Sequence, residues 1–234
     1  MKRYQKAILS IVAVLLLVLA GLLISGYLKY KELINERPLA AVISQAKENP
    51  SYVEIEEIDP FFIEAILAIE DPAFYEHGGI RLSNIIEAFF TNVIEHEYAM
   101  GGSTISQQLC KNLYFNQKKQ LLRKVSELYF VHDIESMLEK DEILELYLNV
   151  IYFGDGYYGI KEACEGYFHT TPDQLTKAQA TMLAGLPQAP ANYQLRDGYE
   201  LAKKRQKQVL EAMVEQEIIT EKEMRTIYKE AVES

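Results

Sequence analysis

The sequence predicts a mainly α-helical domain preceded by one N-terminal transmembrane helix. Three observations lead there: an uncharged apolar run near the N-terminus, apolar residues at helical spacing behind repeated N-cap signals, and weak strand signals throughout. The run Ala7 to Leu28 holds 22 residues without a charge. At 1.5 Å per helical residue it can cross a hydrocarbon core of about 30 Å. A cleaved signal peptide would have a shorter apolar region and a small-residue cleavage site, and neither is present. Lys2, Arg3 and Lys6 precede the run and no acid occurs before Glu32, so the positive-inside rule places residues 1–6 in the cytoplasm, 7–28 in the membrane and the rest outside. Residues 29–50 read as a juxtamembrane segment and 51–234 as one domain, because no repeat, low-complexity linker or second composition shift interrupts them.

Within that domain, Asp59-Pro60 opens an apolar segment with Phe62, Ile63, Ile66 and Leu67 on one helix face, ending at Pro72. A second helix is expected over about Leu82 to Ile94. Thr104-x-x-Gln107, Thr171-Pro172-x-Gln174 and Thr220-x-x-Glu223 have the form of capping boxes, and Asp141 stands where an N-cap would precede Ile143, Leu144 and Leu148. The run Tyr152 to Gly159, rich in glycine and tyrosine, reads as a turn or loop.

Composition excludes several classes. At 49% hydrophobic and 25% charged residues the chain is neither disordered nor collagen-like. Residues 31–234 carry 20 bases against 34 acids, a net charge of −14, which argues against a nucleic-acid partner. Cys110 and Cys164 lie far from any zinc-ligand spacing and suit small apolar packing. There is no Gly-x-Ser-x-Gly elbow, no phosphate loop of the Gly-x-x-x-x-Gly-Lys kind and no His-Glu-x-x-His helix. His77, His96, His132 and His169 are scattered, and only His77 falls near an acid of interest.

That acid is Glu70. It stands two residues before Pro72, at an expected helix C-terminus whose partial negative charge would raise its pKa toward the range of a general base. Gly101-Gly102-Ser103-Thr104 then leads into a helix with Ile105, Leu109 and Leu113 on one line and Thr104, Gln107, Gln108 and Lys111 on another. A hydroxyl, two amides and an ammonium at a glycine-led helix start suit a phosphate or a sugar. Lys118, Lys119, Arg123 and Lys124 form the densest basic cluster in an acidic body, which pyrophosphate would explain. Glu127, one turn beyond Arg123, either projects into the same cleft or makes a surface ion pair.

Read together, these segments resemble the five motifs of the peptidoglycan glycosyltransferases, glycosyltransferase family 51, in its monofunctional membrane-anchored form. The pieces are Glu70-Asp71-x-x-Phe74-x-x-His77-x-Gly79; Gly101-Gly102-Ser103-Thr104-Ile105-Ser106-Gln107-Gln108-Leu109-x-Lys111-Asn112-Leu113; Arg123-Lys124-x-x-Glu127; Lys140-x-x-Ile143-Leu144-Glu145-x-Tyr147-Leu148-Asn149; and, more weakly, Ala202-x-x-Arg205-x-x-x-Val209-Leu210. The resemblance implies a lysozyme-like helical fold with a small hydrophobic lobe near the membrane, here including Phe89, Phe90 and Ile94. It implies polymerisation of lipid II into β-1,4-linked glycan strands with release of undecaprenyl pyrophosphate. By the same resemblance Glu70 is the base, and Glu127 is the second catalytic carboxylate. Lys111, Lys119 and Arg123 would hold the diphosphate, and Ser103, Gln107 and Gln108 would contact sugar or phosphate. No cofactor is required, although a divalent cation, Mg or Mn, could sit near the pyrophosphate beside Glu127. Partners would be lipid II, the growing glycan, the bilayer and other wall-synthesis proteins such as transpeptidases, since no transpeptidase region precedes Ser234.

This sequence departs from the family pattern in three places. Glu87-Ala88 stands where Arg-Ala is expected, Lys119 where some relatives have arginine, and Gln206 replaces one of the two arginines of the fifth motif. The first and last of these suggest the alternative of an impaired, membrane-anchored lipid II-binding scaffold. Two carboxylates in a helical fold would also suit a muramidase-like hydrolase, but such an enzyme has no diphosphate to hold.

Overall fold

Helices dominate the computed structural model, which describes residues 2–81, 103–115 and 121–232. The expected helix at Leu82 to Ile94, with Phe89, Phe90 and Ile94, and the departure at Glu87 lie outside the described residues, as do Lys118 and Lys119. In chain order the elements are α1 (Lys2–Glu36), α2 (Leu39–Lys47), α3 (Pro60–Glu70), α4 (Ile105–Tyr114), α5 (Leu121–Met137), α6 (Lys140–Val150), β1 (Tyr152–Gly154), β2 (Tyr157–Tyr158), α7 (Ile160–Phe168), α8 (Lys177–Gly185), α9 (Pro190–Tyr193), α10 (Leu195–Glu215) and α11 (Glu221–Lys229).

Helix α1 is long and apolar enough to cross a membrane, and Ile8, Leu9, Leu15, Leu16 and Leu17 are exposed along it. It continues past Leu28 to Glu36 because its C-terminal end is docked on α5. Gly26 permits the approach: a Cβ there would lie 2.4 Å from Val125 Cγ1. Ser126 Oγ lies 3.1 Å from the Gly26 carbonyl oxygen, and the Tyr129 hydroxyl donates to the Leu23 carbonyl at 3.1 Å. The Tyr30 hydroxyl bonds Asp133. Residues 29–50, the expected juxtamembrane segment, contribute Tyr30, Leu39, Val42 and Ile43 to the core.

The core is apolar and close to fully dry, the main driving force for folding. Helix α3 lays Phe62 and Ile66 against α8 and α10, which bring Met182, Leu183, Val209 and Leu210. Helix α4 packs on α5 and α6 through Ile105 and Leu109. Asp59 caps α3 by accepting from the Phe62 N–H at 2.9 Å, and the capping boxes at Thr104 and Thr220 form as expected.

Three local expectations are corrected. Thr171-Pro172-x-Gln174 yields only a three-residue 3₁₀ turn; the helix starts later, at Lys177, behind a Thr176/Gln179 capping box. The N-cap of α6 is Glu139, whose N–H donates to Glu142 at 3.0 Å, so Asp141 sits inside the first turn, where a carboxylate also favours the helix dipole. The Tyr152–Gly159 run contains a two-stranded antiparallel hairpin that pairs Tyr152 with Tyr158, their rings 4.7 Å apart. The alternation is too short to register as a strand, and the turn holds Gly154, Asp155 and Gly156 at positive φ.

Candidate active site

A buried bracket sets the site's geometry by tying the end of α3 to the start of α4. Asp71, 1% exposed, accepts from the Ile105 N–H at 3.0 Å and from His77 Nε2 at 2.9 Å. His77 Nδ1 accepts from the Gly79 N–H at 3.0 Å, so Nε2 carries the hydrogen that Asp71 receives. Thr104 Oγ1 donates to the Gly79 carbonyl at 2.6 Å. Gly79 has φ +80°, and a Cβ there would meet Val131 Cγ1 at 2.5 Å, so only glycine closes the bracket. His77 is therefore a structural residue, and the bracket aims Glu70 and α4 at one cleft.

Glu70 is the last residue of α3 and is buried. Its Oε2 accepts from Gln108 Nε2 at 2.7 Å, and its Oε1 lies 3.4 Å from Arg205 Nη2. Burial pushes its pKa up, while Gln108, Arg205 and Lys111 pull the other way. The direction is the one expected from the helix end, but the dominant cause is loss of solvent.

The other carboxylate is held differently. Glu127, 1% exposed, lies 3.1 Å from Arg123 Nε and 3.1 Å from Lys124 Nζ. Lys124 Nζ also donates to Ser103 Oγ at 2.9 Å. Between the two carboxylates stands Lys111, whose pKa is lowered by burial and by the neighbouring Arg123 and Lys124, against the pull of Glu127 and Glu70.

A cleft of about 220 Å³ is lined by Glu70, Ser103, Gln107, Gln108, Lys111, Arg123, Lys124 and Glu127, with Pro187 and Gln188 on the far wall. A second cleft of about 210 Å³ shares Gln108, Lys111, Pro187 and Gln188 and runs on past Asn112, Tyr152 and Asn192. Gln108 and Lys111 thus stand at the junction of two depressions, room for a sugar on either side.

Every sequence-predicted site residue among those described reaches the first cleft; Lys119 lies outside them. The two glutamines are already engaged by the protein. Gln107 Oε1 accepts from the Thr104 N–H at 3.1 Å in the capping box, and Gln108 bonds Glu70. Arg205 was not among the predicted site residues; it lies 135 positions from Glu70, and its only signal was its place in the weakest of the five motifs. Gln206 does not face the cleft. It is fully buried and donates to the Ala178 carbonyl at 2.9 Å and Thr181 Oγ1 at 3.0 Å, fastening α10 to α8.

A model of the transglycosylase family matches residues 35–214, a span that contains the whole bracket and both carboxylates. The chain belongs to the transglycosylase family. Among similar transglycosylases, a protein of Cupriavidus necator named as such is 39% identical over 181 residues, 77% of this chain and 78% of the relative. Penicillin-binding protein 1A of Neisseria gonorrhoeae is 39% identical over 174 residues, 74% of this chain. The chain spans 22% of the length of that relative. The crystal structure of penicillin-binding protein 1A from Haemophilus influenzae aligns with 77% of this chain and 17% of that one, at 22% identity and a TM-score of 0.46. Within the transglycosylase match, the departure at Gln206 falls in the core and not in the cleft.

Proposed function

We propose that this transglycosylase polymerises lipid II into β-1,4-linked glycan. The observation that carries the reading is the division of one cleft, with a buried carboxylate of raised pKa at one end, Arg123 and Lys124 at the other, and Lys111 between them. Ionised Glu70 takes the proton from the 4-hydroxyl of the acceptor's GlcNAc as that oxygen attacks C1 of the donor's MurNAc with inversion. The bond from C1 to the diphosphate breaks and undecaprenyl pyrophosphate leaves. Lys111, Arg123 and Lys124 stabilise the charge that develops on it, the effect with the largest share in most such sites. The family resemblance adds Lys119 to this group.

A divalent cation does not fit the residues at this end. Both oxygens of Glu127 face cationic side chains, and among the described residues no acidic cluster with metal-like spacing includes it. A hard cation would need several oxygen ligands there. The protein's own cations supply the positive charge.

The N-terminal bases and the apolar helix support a single-pass anchor with the cytoplasm on the N-terminal side and the cleft outside. Substrates with polyprenyl tails would then share a plane with the enzyme, which raises their effective concentration. Transpeptidases are the partners such a product calls for. Purified protein given labelled lipid II should form polymer, and Glu70→Gln should lower turnover by about 10²- to 10⁴-fold while still binding lipid II. Wild-type protein that binds lipid II and makes no polymer would remove the reading, and release of soluble fragments from purified wall would replace it with hydrolysis.

A further inference from the structure

Tyr147 on α6 is fully buried and brings its hydroxyl close to the buried polar groups around Glu70. Such a group is costly unless hydrogen-bonded. Its partner is Gln108 Oε1, at 3.3 Å, and the other end of the same amide donates to Glu70 Oε2 at 2.7 Å. An amide has two nearly isosteric ends, an oxygen that only accepts and an NH₂ that only donates. Turned over, Gln108 would point a carbonyl at an ionised carboxylate.

We propose that Tyr147 is a positioning residue: by donating its hydroxyl hydrogen to Gln108 Oε1 it keeps the NH₂ of Gln108, and not the carbonyl, on the Glu70 carboxylate. The inference rests on the reading of Glu70 as the general base. It changes the part assigned to Gln108, from contacting sugar or phosphate to maintaining the base in its ionised form.

The other charged and titratable groups facing Glu70 come from the elements around it. Arg205 approaches from α10, and Lys111 from α4. Asp71 follows in the chain, but its oxygens are occupied by His77 and the Ile105 N–H. The one titratable residue of α8, Lys177, lies over the Phe61 ring. None of these groups touches the Gln108 amide. Among the described residues the Tyr147 hydroxyl has no partner besides Gln108, so an amide that turned over and donated to it would leave the hydroxyl's own hydrogen buried and unpaired.

Without the hydroxyl, the amide turns over in part of the population and presents an acceptor to Glu70, which favours the protonated acid. The acid limb of the pH–rate profile for lipid II polymerisation by the full-length protein should then move upward in Tyr147→Phe. A displacement of about one pH unit would lower the rate about tenfold on the acid side and leave the alkaline plateau near wild type. Gln108→Leu should move the limb the same way, and Tyr147→Phe added to Gln108→Leu should move it no further. An unmoved limb in Tyr147→Phe, or a shift that adds in full to that of Gln108→Leu, would overturn the proposal. If Tyr147→Phe does not fold, an unmoved limb in Gln108→Leu still overturns the proposal. Glu70→Gln assayed in parallel separates the two ways of failing. Wild-type turnover in that variant removes Glu70 as the base and the orienting role with it; a silent Glu70→Gln beside an unmoved Tyr147→Phe limb removes only the orienting role.

Discussion

Two glutamates share one cleft and live in opposite settings. Glu70 closes an apolar helix, receives one short hydrogen bond from a neutral amide, and among the described residues makes its ion pair with Arg205 at 3.4 Å. Glu127, on a helix with two neighbouring cations, has a guanidinium and an ammonium each at 3.1 Å. Burial raises the pKa of a carboxylate that is dry and lightly held, which suits it to take a proton, whereas one gripped by two cations orients them. The same side chain therefore serves proton transfer at one end and charge placement at the other, and the surroundings decide which.

The sharpest way to break that contrast is to neutralise each glutamate without changing its shape. Glu70→Gln should lower turnover by about 10²- to 10⁴-fold with lipid II binding intact. Glu127→Gln should instead free Arg123 and Lys124 to move, lowering kcat/KM by about 10²- to 10³-fold, the scale of losing one preorganised electrostatic group. Its loss should appear in donor binding as well as in kcat, and its pH profile should retain the wild-type acid limb. Steady-state kinetics across pH on both variants checks this. A Glu127→Gln enzyme whose acid limb disappears would assign proton transfer to the wrong end.

Arg205 tests the lightness of the grip on Glu70. It lies across the core from α10 and opposes the upward push of burial on the Glu70 pKa. Removing it with Arg205→Gln takes away a stabiliser of the ionised form, so the Glu70 pKa should rise further and the acid limb should move to higher pH. At a fixed pH below the new limb, the rate should fall about tenfold per unit of displacement. A downward move of the limb would contradict the pairing of Arg205 with Glu70.

The Glu127 end was readable in the sequence because its parts are local: Arg123, Lys124 and Glu127 occupy one turn of one helix, where spacing alone brings them together. The start of α4 was readable for the same reason, its capping box being a four-residue pattern. The Glu70 end was only half legible. Its place at a helix end before a proline is local, but the groups that tune it arrive from α4, α6 and α10, and no periodicity reports which buried tyrosine or arginine will meet it. Gln206 shows the converse. It looked like a loss in the site until its amide was found joining α10 to α8 in the core. The hairpin at Tyr152 was missed because five strand residues are too few to establish a period of two.

The smallest expected effect belongs to Lys124, and it measures how far the Glu127 grip depends on each cation. Its side chain is 47% exposed, against 16% for Arg123, so water screens its ion pair with Glu127. A half-exposed cation is held less firmly against the buried carboxylate than a well-shielded one. Lys124→Gln should therefore leave thermal stability close to wild type and reduce donor affinity only a few-fold, with a reduction that fades as salt is raised. Arg123→Gln should cost more in both respects, because it strips a buried carboxylate of its better-shielded partner. Equal losses in the two variants at low and high salt would mean that Glu127 is held by the pair as a unit and that burial does not rank its cations.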